Sequence, residues 1–170
     1  FAQLTPRAGN FLVSRSEESD FDCNSLKGKT VLGGRAGGMP QMVLEYVLKQ
    51  KGIDLSEIDI VQNIDFGLTA GAFSGGQGDY TVEFEPGATS LELSGDGYVV
   101  ASLGVESGYV PYTAYCAKQS FIDDNPEIIS GFTRAIEKGM ASVASHSSED
   151  IAEIIAPQFA DIDVDKIAII

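Results

Sequence analysis

Tryptophan is absent from this 170-residue chain, histidine occurs once and cysteine twice. One histidine and two cysteines 93 positions apart cannot build a metal centre of the close-paired kind. The same pair is too sparse for a disulfide-stapled small domain. Each of Cys23 and Cys116 reads first as a small buried hydrophobe, with a single disulfide as the alternative. Positive charge is scarce too: 11 Lys and Arg stand against 25 Asp and Glu, a formal net charge of −14. Affinity for nucleic acid rests on cations replacing the counterions of phosphates, so DNA and RNA are excluded as partners, and anionic lipid surfaces are disfavoured. No apolar run approaches the roughly 18 residues of a spanning helix. No charged-then-apolar leader precedes Phe1, so the expectation is a leader removed or a piece of a longer chain.

What is present is ordinary globular material. With 44% hydrophobic and 21% charged residues the chain lies far from the disordered corner of composition space. A chain this long buries roughly 70% of its unfolded surface, enough for one domain or at most two small ones.

The pattern along the chain alternates strands and helices, which predicts an α/β layered fold. Phe11 to Arg15 is a short strand, followed by a polar, acidic loop over 16–25. Thr30-Val31-Leu32 reads as a strand that runs into Gly33-Gly34-Arg35-Ala36-Gly37-Gly38-Met39-Pro40, then into a helix whose apolar positions Met42, Val43, Tyr46, Val47 and Leu48 recur at helical spacing. Pro40 suits the first helical position, Lys49 and Lys51 complement the negative end of the dipole, and Gly52 supplies a left-handed cap. Ile58 to Ile64 forms the next strand, so strand, helix and strand predict a parallel, right-handed βαβ unit. A short helix is expected within 66–77, then strands at Thr81–Glu85, Tyr98–Leu103 and Tyr112–Ala117. Asn125 reads as the N-cap of a helix that begins with Pro126 and keeps Ile128, Ile129, Phe132, Ala135, Ile136, Met140 and Val143 on one face. A last helix starts at Ser147-Ser148-Glu149-Asp150.

The glycine loop is the main candidate site, because small residues let backbone N–H groups approach a ligand while the following helix aims its positive end at the same spot. Positions 33 to 38 hold four glycines. The dinucleotide fingerprint fails, since its first glycine would fall on Leu32, and the phosphate loop fails because Met39-Pro40 stands where Lys and Ser or Thr are needed. The candidate ligand contacts are Gly34, Arg35, Ala36, Gly37, Gly38 and Met39. Arg35 offers a planar fork to an anion. Phe84 and Glu85 join them at a strand end, where α/β clefts collect ligands. No catalytic residue is assigned: His146 reads as a solvated helix end, and the acidic runs Glu17-Glu18, Asp123-Asp124 and Glu149-Asp150 as solvated faces or first helical turns. No cofactor is implied.

The order of these segments resembles the substrate-binding proteins of ABC importers, type II periplasmic-binding-protein fold, in the branch for sulfonates, nitrate, taurine and the pyrimidine precursor of thiamine. The carriers are Leu26-Lys-Gly-Lys and the strand and loop through Pro40, then Ala72-Phe-Ser-Gly, Gly78-Asp-Tyr, Phe84-Glu-Pro, Tyr112-Thr-Ala-Tyr and Asn125-Pro-Glu-Ile-Ile. The resemblance implies a three-layer α/β/α lobe with a mixed, mainly parallel sheet. It implies an extracytoplasmic, non-enzymatic solute-binding component, in the parent a periplasmic protein or surface lipoprotein, with a small polar or anionic ligand and an ABC permease as partners. It further implies that 1–25 is the end of a first lobe and a hinge crossing, 26–108 a second lobe, and 109–170 the return crossing with C-terminal helices of the first lobe. The family is longer and two-lobed, so a fragment would expose apolar surface and self-associate. The loop carries Gly37-Gly38-Met39 where sulfonate binders carry a serine-bearing turn, which counts against a sulfonate. The alternative is an α/β enzyme or ligand-sensing domain using the loop 33–38 for a phosphorylated ligand.

Overall fold

The computed structural model describes residues 1–160 and 162–170, with every side chain among them except that of Phe66. It divides into two compact units, Thr5–Tyr112 and Phe1–Leu4 with Thr113–Ile170. A strand β1 (Ala2–Thr5) opens the chain. The larger unit then runs β2 (Asn10–Ser14), β3 (Thr30–Leu32), α1 (Met39–Gln50), β4 (Asp59–Val61), α2 (Thr69–Ser74), β5 (Tyr80–Phe84), α3 (Gly87–Ser94), β6 (Tyr98–Ser102) and α4 (Leu103–Glu106).

Its sheet has the order β4-β3-β5-β2-β6. β3 runs parallel to both β4 and β5, while β2 is antiparallel to both β5 and β6. Four strands therefore share one direction and β2 alone opposes them. Alternate residues feed two cores, as strand geometry requires. Leu12, Val31, Tyr80 and Val82 pack with Val43, Leu44, Val47 and Leu48 of α1 on one face. Val13 and Leu32 meet Phe73 of α2 and Ala88 and Leu91 of α3 on the other. The result is helix, sheet, helix: the expected three-layer lobe.

α1 follows the sequence closely. Pro40 stands in its first turn. At the other end Gly52 adopts φ +73°, its N–H reaches the Lys49 carbonyl and Ile53 N–H reaches that of Leu48, the paired bonds of a Schellman stop.

The larger unit begins at Thr5 and takes in β2. The reason is burial on two sides. Leu12 and Val13 are 1% and 0% exposed on opposite faces of β2, which demands paired neighbours, and β5 and β6 supply them. The helix α3 has no counterpart among the expected elements; its signal is the pair Ala88 and Leu91 at helical spacing, obscured by Thr89, Ser90 and Ser94, which favour caps and turns over helix interiors. The short helices α4 and Gln119–Asp124 were not anticipated either.

The smaller unit holds β7 (Thr113–Tyr115), which pairs with β1, then α5 (Gln119–Asp124), α6 (Pro126–Ser145), α7 (Ser148–Ile155) and α8 (Val164–Ile167). Phe1, Tyr115 and Phe132 form an aromatic cluster with centroids 4.8 to 6.4 Å apart. Ser147 and Asp150 close a capping box on α7, so Asp150 is a working cap rather than a solvated charge. Asn125 does not cap α6 through its side chain: its amide donates back to the Phe121 carbonyl at the end of α5. The apolar face of α6 forms as expected, yet Ile128, Phe132, Met140 and Val143 are all exposed. Both cysteines are free thiols; Cys23 is buried, and Cys116 is exposed rather than a buried hydrophobe.

The tightest backbone approach is at Gly104 of α4, where a Cβ would stand 2.1 Å from the Ala8 carbonyl oxygen. Gly104→Ala therefore has to displace backbone, and should destabilise the larger unit by about 2 kcal/mol or more in urea denaturation. Gly139→Ala on α6, with nothing within 4 Å, should instead leave stability equal or raise it by up to about 1 kcal/mol. Equal effects at the two positions would contradict this packing.

Candidate functional site

Three strand ends converge in the larger unit. β3 leads into the loop before α1, β4 is followed by Asp65, and β5 ends on Phe84. Between them lies an open recess of about 340 Å³ lined by Arg35, Gly38, Met39, Pro40, Asp65 and Phe84. Of the expected contacts, Arg35, Gly38, Met39 and Phe84 meet here. Gly34, Ala36, Gly37 and Glu85 are not among the lining residues.

The loop's amides explain part of this. Gly33 N–H donates to the Val61 carbonyl, Ala36 N–H to that of Gln62, Gly37 N–H to Oε1 of Gln41, and Gly38 N–H to the Arg35 carbonyl. The loop is thus fastened to the end of β4 and to α1, and these four donors are spent. Gln41 is itself buried and hydrogen-bonds Glu45, which also pairs with Lys49 at 3.1 Å. The polar groups that line the recess, among the described residues, include the Arg35 guanidinium, beside Met39 in the first turn of α1. Glycine here serves close approach: a Cβ on Gly33 would lie 2.7 Å from Ile60 Cγ2.

Glu85 is engaged elsewhere. Its carboxylate accepts from the Thr89 N–H and the Thr89 hydroxyl, both at 3.0 Å, in the first turn of α3. Pro40 and Asp65 line the recess without having been among the expected contacts, and Asp65 is the one outside the glycine loop. It stands alone in a polar stretch between a strand and a helix, and only the parallel pairing of β3 with β4 brings it beside the glycine loop. Glu18, read as a solvated charge, accepts from Ser14 Oγ at 2.8 Å and from the Tyr80 hydroxyl at 2.6 Å. Burial and this carboxylate push the Tyr80 phenol well above its ordinary value.

Two further polar groups lie under the strands. Glu83 faces α2, 3% exposed, accepts from Thr81 Oγ1 at 2.7 Å and is hydrogen-bonded by Thr69. Asn10 is wholly buried beside Phe84, its register partner on β5, and Tyr112 meets the Phe84 ring edge-on at 6.1 Å. Burial pushes the Tyr112 phenol up to about 12. His146 caps α6 in the other unit, exposed, its Nδ1 2.7 Å from the Ser142 carbonyl. Among the described residues no group of His, Cys, Asp and Glu is arranged to hold a metal.

Comparison with known proteins agrees with this geometry. The family described as NMT1/THI5 like matches residues 1–150. YtlA of Bacillus subtilis (strain 168), described as a candidate binding protein, is 51% identical over 168 residues, 98% of this chain and 50% of its own length. The periplasmic aliphatic sulphonate binding protein SsuA from Escherichia coli superposes with a TM-score of 0.81 at 18% identity, over 98% of this chain and 55% of that one. The alkanesulfonate-binding protein SsuA from Xanthomonas axonopodis pv. citri, bound to MOPS, gives 0.69 at 16% identity, over 98% and 55%. At such identities these structures establish the shared periplasmic-binding-protein fold. The chain spans about half the length of the proteins it matches.

Glu83 has a consequence for stability. Burial raises its carboxyl above the ordinary value of 4.5, so the folded chain holds this proton more tightly than the unfolded one. The stability it contributes is complete below pH 4.5 and is lost as pH rises through the elevated folded value. Glu83→Gln should match or exceed the parent near pH 7, with the gap closing toward pH 4.5 at up to about 1.4 kcal/mol per pH unit. Urea titrations from pH 4 to 8 measure it, and parallel curves for parent and variant would refute it.

Proposed function

This chain belongs to the NMT1/THI5-like family, and on that footing we propose that it is the ligand-contacting portion of an extracytoplasmic solute-binding protein that serves an ABC importer. The observation that carries this reading is the recess at the ends of β3, β4 and β5, where Arg35, the first turn of α1 at Met39 and Pro40, Asp65 and Phe84 line one small volume. Such a site takes a small polar or anionic molecule: one charged head suits Arg35 and the helix terminus, and Phe84 with Met39 offers apolar contact to the remainder. YtlA, by its description a binding protein, supports the same role.

The alternative of a phosphorylated ligand or cofactor held by the loop 33–38 fits less well. A phosphate cradle needs several backbone donors converging on one point, and those of Gly33, Ala36, Gly37 and Gly38 are committed to the fold. The few donors left suit a single anionic head.

The finer reading is of two lobes closing on the ligand by hinge motion, with a permease as docking partner and a location outside the cytoplasm. Its supports are the division of the chain into two compact units and the half-length coverage of the relatives. The exposed apolar face of α6 further supports a smaller unit that belongs to a larger lobe, or that associates with a second copy when alone.

Titration of the chain with a panel of small anions and polar solutes, followed by amide chemical shifts, tests the reading. Shifts should concentrate at Arg35 to Met39, Asp65 and Phe84, and Arg35→Gln should weaken an anionic ligand about 10- to 100-fold, as loss of a charged hydrogen bond does. If no solute moves these residues, the reading fails.

A further inference from the structure

Asn10 is the most anomalous side chain in the larger unit. It is 0% exposed, and neither its amide nitrogen nor its amide oxygen has a hydrogen-bond partner; the Tyr112 hydroxyl is likewise buried and unpartnered. Buried polar groups of this kind are rare in folded proteins, and an amide that satisfies neither its donor nor its acceptor works against the fold. A leucine of nearly the same shape would fill the position without that penalty. The remaining interior positions of β2 show the contrast, since Leu12 and Val13 are apolar and Ser14 is hydrogen-bonded.

The location links the two groups to the recess. Asn10 lies directly opposite Phe84 in the antiparallel pair of β2 and β5, and side chains directly opposite in such a pair project from the same face. Phe84 lines the recess, and its ring meets that of Tyr112 edge-on at 6.1 Å. Phe84 is therefore the wall shared by the recess on one side and by Asn10 and Tyr112 on the other. Gly9 lies against the same ring, since an added Cβ would touch it at 3.6 Å.

We propose that Asn10 and Tyr112 form a covered polar subsite, opened when the Phe84 ring turns aside, which takes a neutral planar group carrying a hydrogen-bond donor beside an acceptor, a carboxamide or lactam edge. The inference rests on the reading of the recess as a ligand site and sharpens its chemistry. A carboxylate or sulfonate head would satisfy the amide nitrogen and the phenol but would leave the amide oxygen of Asn10 facing lone pairs. A carboxamide satisfies both ends of the Asn10 side chain at once. The charged head of a ligand, where it has one, remains with Arg35 and α1.

Benzamide and benzoate, equal in shape and different in this one group, are the probes. In amide-detected titrations of the parent chain, benzamide should move the Asn10 side-chain signals and bind at least tenfold more tightly than benzoate. Asn10→Leu and the milder Tyr112→Phe should each melt at the same temperature or a few degrees higher, and each should weaken benzamide at least tenfold while leaving the benzoate response at Arg35 unchanged. The proposal is overturned if both variants melt lower, which would give these groups a structural partner, if benzamide binds the variants as well as the parent, or if benzamide does not bind the parent. Benzoate binding at Arg35 with silent Asn10 signals would overturn the subsite and leave the recess standing; silence from both probes at every lining residue would remove both.

Discussion

The strand β2 is the constraint on which the larger unit depends. It enters against the direction of the other four strands and pairs along its length with both β5 and β6. Leu12 and Val13 anchor the two cores from one backbone segment. At its end Arg15 lies 4.2 Å over the Phe73 ring and donates to the carbonyls of Phe73, Gln77 and Gly78, which ties the strand to the end of α2. At its start Asn10 sits beside Phe84. Without β2 the sheet would end on β5, the pair β2–β6 would be lost with α4 and Gly104, and Phe84 would have no neighbour on that side. A strand of five residues thus holds together the core, the far edge of the sheet and one wall of the recess.

The glycine loop shows how one segment divides its hydrogen-bonding capacity between fold and function. A loop of small residues before a helix offers many donors, and the simplest expectation is that a ligand uses them. Here β4 and Gln41 take most, which fixes the loop without help from ligand. The recess is left with few polar groups. Met39 of the first helical turn, one guanidinium and one carboxylate line it, and the Asp65 carboxylate would oppose a ligand that is anionic along its whole length.

Two paired strands, β5 and β2, carry opposite solutions to burying a polar side chain. Glu83 turns toward α2, takes hydroxyl partners from Thr81 and Thr69, and is quiet apart from its tendency to keep a proton. On the other face Asn10 has no partner at all. The first is what a fold does with an acid it has to bury; the second is a polar group left unsatisfied beside Phe84 at the edge of the recess.

Local chemistry made much of this legible beforehand. The strand, loop, helix and strand over residues 30–61, the stop at Gly52, the helix start at Ser147 and the strands at 80–84 and 98–102 follow from periodicity, caps and turn residues that act within a few positions of one another. So does the placement of Arg35, Met39 and Phe84 at strand and helix ends, which the order of weak motifs reinforced. The sequence could not disclose that β2 lies inside the sheet, that Asp65 joins the recess, that Glu85 caps α3 or that Asn10 is buried without a partner. Each of those depends on a strand pairing or a packing contact between residues tens of positions apart, and nothing local in the chain distinguishes a solvated asparagine or aspartate from one that the fold carries to a site.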